Sequence, residues 1–338
     1  MDPLHPSDTP TSPLLLPPPP AASGPEPSGS PRPLETFVVL CGMPRCGTRQ
    51  FADFLNRHPR LCLQGEIRGT LLGTIRGALE AAQQAYPRGY AARAFREKRA
   101  RGVIDLFGLL SKGNRITKQG ADIHGFKCPQ MERQQGHITA IVRPAFKRLV
   151  WLHAIRNPVD CWLSLRAMPW FSDDPDQFVE RYCSSLDYAR AIAERSGAER
   201  GGTETGAPPV TAGAPAPTLA MGTTIAALDL DAFIASADKP GWLGQHLFTP
   251  LGLAPSAAEL AHFAATTDNR NATTRATGAA RSRMLDPADH ARFEHHAPRL
   301  EAAIAAYNAR LGTQLALRLP PLHEARIEAE PADARHAA

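Results

Sequence analysis

A three-layer α/β/α fold around a central, mostly parallel sheet is predicted by three observations. Short apolar runs rich in β-branched residues, Thr36–Cys41 and Arg148–Ile155 above all, read as buried strands. Segments with apolar residues at helical spacing lie between them. The two kinds of segment alternate along the chain, which implies a parallel sheet with helices on both faces.

Each element follows in order. After the Thr36–Cys41 strand, Thr48–His58 carries Phe51, Phe54, Leu55 and His58 at helical spacing, and Pro59 ends it. Leu61–Leu63 reads as a second short strand. From Ile67 to about Leu110 the pattern is helical, with Ile67, Leu71, Leu72, Ile75 and Leu79 on one face and Pro87 and Gly89 as interruptions. Asp122–Lys127 is a further strand and Arg148–Ile155 the strongest one. Asn157 then serves as N-cap and Pro158 as first residue of a helix. Asp176–Ser196 is a helix with Phe178, Tyr182, Leu186 and Ala189 inward. Thr223–Leu230 resumes a strand, and helical stretches at 256–265 and 287–311 close the domain.

The chain has 338 residues, 43% of them hydrophobic, enough to bury a sizeable core. Residues 1–34, with the run Pro17–Pro20, and the polar tail 319–338 read as disordered, because such compositions cannot offset their ordering entropy by burial. The Gly/Pro-rich stretch at 199–219 reads as a flexible insertion within one domain spanning 35–318. Met1-Asp2-Pro3 offers no positive n-region, and no stretch approaches a membrane span, so a cytoplasmic protein is expected.

The formal net charge is +5, which suits an anionic ligand. Basic residues form no long run and aromatics make up only 7%, which argues against a nucleic-acid surface. None of the six cysteines forms a C-x-x-C pair, so neither zinc nor a redox motif is expected. His290, His295 and His296 lack metal-site spacing and read as surface residues, and no metal is expected.

Gly42-Met43-Pro44-Arg45-Cys46-Gly47-Thr48 lies between a strand and a helix. There a glycine-bearing turn lets backbone N–H groups converge on a phosphate, and the helix N-terminus adds a favourable dipole. Gly42 and Gly47 have the spacing of the nucleotide loop G-x-x-x-x-G-K-[ST]. Thr48 replaces its lysine and Arg49 its magnesium-binding hydroxyl, which weakens a kinase or ATPase reading. An ordinary strand-to-helix turn is the plain alternative. Farther on, Arg156 stands at the C-terminal end of the strongest strand and Ser164 two turns into the next helix. Ligands of open parallel sheets bind at such strand ends, where a guanidinium fork and a hydroxyl suit a phosphate. Asp160, in the first turn, reads as structural.

These segments together resemble the sulfotransferase family that uses 3′-phosphoadenosine 5′-phosphosulfate. Pro44-Arg45-Cys46-Gly47-Thr48 resembles its P-R-x-G-T loop, Arg156-Asn157-Pro158-Val159-Asp160 through Ser164 its R-N-P-x-D-x-x-x-S segment, and Gly125-Phe126-Lys127-Cys128-Pro129 its G-x-K-[ST]-P strand end. Gly65-Glu66 after the loop helix is similar to many bacterial and heparan-type members. The resemblance implies a P-loop NTPase-like sulfotransferase fold, no metal, and the phosphosulfate nucleotide as donor. Pro44, Arg45, Cys46, Gly47, Thr48 and Arg49 would line the 5′-phosphosulfate loop, and Arg156 and Ser164 would hold the 3′-phosphate. Lys127 would reach the bridging oxygen or the acceptor side and, with Arg45, would be catalytic. Glu66 would be the base, with His124 the runner-up.

The acceptor would be a hydroxyl or amine of a small molecule or carbohydrate. A basic loop closing over the nucleotide has Arg270, Arg275, Arg281 and Arg283 as candidates. Asp229 and Asp231 would sit at the last strand's end. A nucleotide-binding protein without transfer activity, kinase-like or scaffold, is the alternative reading.

Overall fold

The computed structural model describes residues 34–86, 93–112, 118, 120–201, 222–265 and 285–320. Both expected tails fall almost wholly outside these residues, as do most of the 199–219 insertion and the four arginines proposed for a closing loop.

Strands β1 (Thr36–Gly42), β2 (Leu61–Gln64), β3 (Ile123–Lys127), β4 (Arg148–Ile155) and β5 (Gly222–Asp229) form one sheet. Their order is β2-β3-β1-β4-β5 and every pairing is parallel. β1 is therefore central, and all seven of its residues are buried. A central parallel strand is covered on both faces, which explains why Thr36–Cys41 reads as a continuous apolar run without alternation.

The helices are α1 (Thr48–Arg57), α2 (Thr70–Ala85), α3 (Arg93–Leu110), α4 (Gln135–Val142), α5 (Pro158–Arg166), α6 (Pro175–Gly201), α7 (Leu230–Ala235), α8 (Lys239–Trp242), α9 (Ala257–Ala265) and α10 (Pro287–Leu311). They cover the sheet through two apolar clusters. Val38 and Leu40 of β1 and Val150 and Leu152 of β4 pack with Phe51 and Phe54 of α1, Trp162 of α5, Phe178 of α6 and Phe293 of α10. The alternate residues Phe37, Val39 and Cys41, with Leu149 and Trp151, pack with α2, α3 and α4, through Ile75, Phe107 and Ile138. The period-two alternation of side chains along each strand thus divides the core into its two faces.

Several expectations are refined. Among the described residues the long helical stretch holds α2, which starts at Thr70, and α3; Pro87 and Gly89, which interrupt the pattern, lie outside the described residues. The 3-10 turn Met131–Gln134 and α4 were not anticipated, because the polar run Glu132–Gln135 hides the apolar face of Ile138, Ile141 and Val142. The expected last strand ends at Asp229, whose carboxylate accepts the N–H groups of Asp231 and Ala232 and starts α7. His290 is buried, not on the surface, with Nε2 3.1 Å from the Pro320 carbonyl. No group of three or more His, Cys, Asp or Glu fit to hold a metal occurs among the described residues. Nor is any helix there long and apolar enough to cross a membrane.

Gly125 of β3 pairs with Val38 of β1, and a Cβ at Gly125 would meet the Val38 carbonyl oxygen at 1.9 Å. Backbone cannot yield there without opening the sheet, so Gly125→Ala is expected to cost about 3 kcal/mol in a urea titration; an unchanged midpoint would contradict this packing.

Burial lowers the pKa of His58, His124, His153 and His246 below the ordinary value of 6.5. Each stays neutral in the fold at pH values where the unfolded chain takes up a proton. Their contribution is complete above about 6.5 and is lost as pH falls through the depressed values. The urea midpoint is expected to decline between pH 7 and pH 5, and a flat profile would contradict it.

Candidate functional site

Parallel pairing puts the C-terminal ends of all five strands on one edge, and the expected site residues follow those ends. Glu66 comes after β2, Lys127 ends β3, the Gly42–Thr48 loop follows β1, Arg156 follows β4, and Asp231 follows β5. A cleft of about 1070 Å³ opens there. Pro44, Arg45, Gly47, Thr48, Arg49, Glu66, Lys127, Arg156 and Ser164 all line it.

The loop owes its shape to left-handed backbone. Gly42 has φ 112°, Gly47 φ 89° and Arg45 φ 75°. For the glycines this costs little; for arginine it is unusual and stores strain. A Cβ on Gly42 would lie 2.1 Å from the Ala154 carbonyl oxygen, so glycine is required there on two counts. Gly47 is the N-cap of α1, which has no side-chain cap bond and no acid in its first turn. The first residues of α1 line the cleft with no acid in the helix's own first turn, an arrangement suited to a phosphate oxygen.

Arg45 ties the two halves of the site together, since its Nε donates to Ser164 Oγ at 2.9 Å. Ser164 is placed by α5, whose start is fixed by Asn157 Oδ1 accepting the Val159 N–H at 2.9 Å and by Pro158. Arg156 precedes that cap. Tyr182 donates its hydroxyl to the Arg156 carbonyl, and Asp231 Oδ1 lies 3.5 Å from Arg156 Nε. Arg156 Nε is buried and makes no hydrogen bond with the described residues. Asp231 also accepts the Asn157 N–H at 2.8 Å and pairs with Arg318 at 2.7 Å. It thus anchors the strand end and holds two guanidinium groups at once.

At the other end of the cleft, Lys127 Nζ donates to Glu66 Oε1 at 2.5 Å. Lys127 is 17% exposed and Glu66 43%. They meet because β2 and β3 are neighbours, with Gln64 opposite Phe126.

Two expectations change. Cys46 does not line the cleft with its side chain; it is fully buried, its Sγ 3.8 Å from that of Cys161, and burial raises its pKa well above the usual thiol range. His124 lies outside the cleft, three residues up-strand of Lys127, roughly 10 Å away along the strand. Its Nε2 is taken by the Ala121 carbonyl at 2.9 Å. Glu66 lines the cleft and His124 does not. Asp160 sits in the first turn of α5 and pairs with Arg318 at 3.9 Å, a structural placement. Sequence reasoning missed Glu132, whose Oε2 accepts the Gly42 N–H at 3.2 Å. A lone carboxylate just past Cys128-Pro129 is the only local sign of it.

No family model matches the chain, and no curated protein does. Among solved structures, the sulfotransferase domain of the Synechococcus PCC 7002 olefin synthase matches with a TM-score of 0.42 and 13% identity, over 86% of this chain and 98% of that one.

Proposed function

We propose that the chain is a sulfotransferase that moves the sulfuryl group of 3′-phosphoadenosine 5′-phosphosulfate to a hydroxyl or amine of a small-molecule or carbohydrate acceptor. The observation that carries this reading is the Arg45–Ser164 hydrogen bond, which joins two anion-binding segments in one cleft that also holds Glu66 and Lys127. Arg156, which lines the same cleft as Ser164 and has Asp231 against its Nε, offers its guanidinium to a second phosphate.

In this reading Arg45, Thr48 and the first N–H groups of α1 hold the 5′-phosphosulfate, while Arg156 and Ser164 hold the 3′-phosphate. The acceptor oxygen or nitrogen bonds to sulfur as the bond from sulfur to the bridging oxygen breaks. Arg45 and Lys127 offset the charge that develops on the transferred group and on the departing bisphosphate. Glu66 takes the acceptor's proton through the oxygen that Lys127 does not engage. Leu230 and Phe233 add apolar lining to the cleft. A magnesium-dependent kinase reading lacks support at the positions that define it, since Thr48 and Arg49 stand where the lysine and the metal-binding hydroxyl belong.

Titration calorimetry with adenosine 3′,5′-bisphosphate, beside ATP with magnesium, tests the donor site. A low-micromolar dissociation constant, about −8 kcal/mol, is expected for the bisphosphate and no comparable binding for ATP. No bisphosphate binding would sink the reading, and ATP binding alone would favour a kinase-like protein. Arg156→Ala should weaken the bisphosphate about a hundredfold. Glu66→Ala should leave that affinity within about threefold while slowing turnover by about 10²-fold or more; full activity in Glu66→Ala would remove it from the role of base.

A further inference from the structure

Beneath the phosphate loop runs a line of buried polar groups that the transfer chemistry does not use. Glu132 Oε2 accepts the Gly42 N–H at 3.2 Å, and its Oε1 accepts the Ser185 hydroxyl of α6 at 2.5 Å. Ser185 Oγ lies 3.1 Å from His153 Nε2 of β4, and His153 Nδ1 lies 2.8 Å from the Tyr307 hydroxyl of α10. All four side chains are at most 1% exposed.

The direction of this line follows from the chemistry of its end. A carboxylate only accepts, so the Ser185 proton goes to Glu132. Ser185 Oγ must then accept from His153 Nε2–H, which leaves His153 Nδ1 to accept the Tyr307 proton. A single imidazole proton satisfies both neighbours, in keeping with the burial that lowers the His153 pKa. Four side chains from the 3-10 turn, α6, β4 and α10 are thereby joined to the last residue of β1.

Burying a carboxylate is costly, and an apolar residue would fill the same space at less cost. What Glu132 adds is a grip on Gly42. The Gly42 carbonyl already accepts the Gln130 N–H at 2.8 Å. The 130–132 turn therefore holds both the N–H and the C=O of the residue whose φ of 112° launches the loop. We propose that Glu132, aimed by Ser185 and His153, is the positioning residue that sets the phosphate loop for the 5′-phosphosulfate; this rests on the sulfotransferase reading of that loop. Glu132 acts through Gly42 and does not touch the donor.

Hydrogen exchange and nucleotide affinity together test this. In Glu132→Ala, amide exchange over Gly42–Thr48 should accelerate by about tenfold or more while the amides of β4 keep their protection. Affinity for adenosine 3′,5′-bisphosphate should fall about tenfold, whereas adenosine 3′-monophosphate, held from the Arg156 end, should bind as before. Glu132→Gln should stay within about threefold of wild type in both measurements. Its Oε1 can still accept from Gly42, and its amide N–H can donate to Ser185 with the hydroxyl line reversed. Ser185→Ala should show the Glu132→Ala pattern at reduced size, and it decides the question if Glu132→Ala does not fold. Unchanged exchange at Gly42–Thr48, or an equal loss of affinity for both nucleotides, would overturn the proposal. A wild-type protein that binds neither nucleotide would defeat the donor reading instead, and the exchange arm would still decide whether Glu132 holds the loop.

Discussion

β1 ends at Gly42 in a backbone conformation that only glycine adopts easily, with the Ala154 carbonyl where a side chain would stand. That turn sets the chain's path from the centre of the sheet into α1. β1 lies between β3 and β4, so the loop emerges with Lys127 on one side and Arg156 on the other. The first residues of α1 line the same space. Had β1 been an edge strand, the loop would have had one of these neighbours and not both.

Charge in the cleft is balanced by geometry more than by number. Arg45, Arg49, Lys127, Arg156 and Lys239 line it against Asp53 and Glu66, an excess of cations that draws in an anion. Each central cation also has a protein partner that fixes its direction: Ser164 for Arg45, Glu66 for Lys127, Asp231 for Arg156. Preorganised groups of this kind stabilise developing charge without reorganising as it appears. Asp231 sits behind Arg156, where it orients the guanidinium and couples it to Arg318 and the Asn157 backbone.

The legible parts of this site are those whose geometry is local. Gly42–Thr48 is a strand-to-helix turn and Arg156–Ser164 is a strand end running directly into a helix, so spacing along the chain fixes which groups face the strand end. The buried strands and the inward face of α6 were legible for the same reason, since periodicity is a local property. Strand order is not local. The pairing of Lys127 with Glu66 depends on β2 lying beside β3, and shared motif spacing could suggest that but not derive it. Cys46 reads as a loop residue, yet the left-handed turns at Arg45 and Gly47 direct its side chain into the core toward Cys161. Glu132 is the extreme case: its partners stand at 42 and 185, and beyond them at 153 and 307, so no window of sequence contains its reason for being buried.

In the proposed function, the loop after β1 and the segment after β4 hold two phosphates of one nucleotide. The most direct measurement compares the affinities of the wild-type protein for adenosine 3′,5′-bisphosphate and adenosine 5′-monophosphate. The bisphosphate is expected to bind at least about tenfold tighter, because charge-assisted bonds from Arg156 and Ser164 are worth more than about 1.4 kcal/mol together. Equal affinities would mean that the segment after β4 holds no phosphate, and the two-phosphate site would be contradicted.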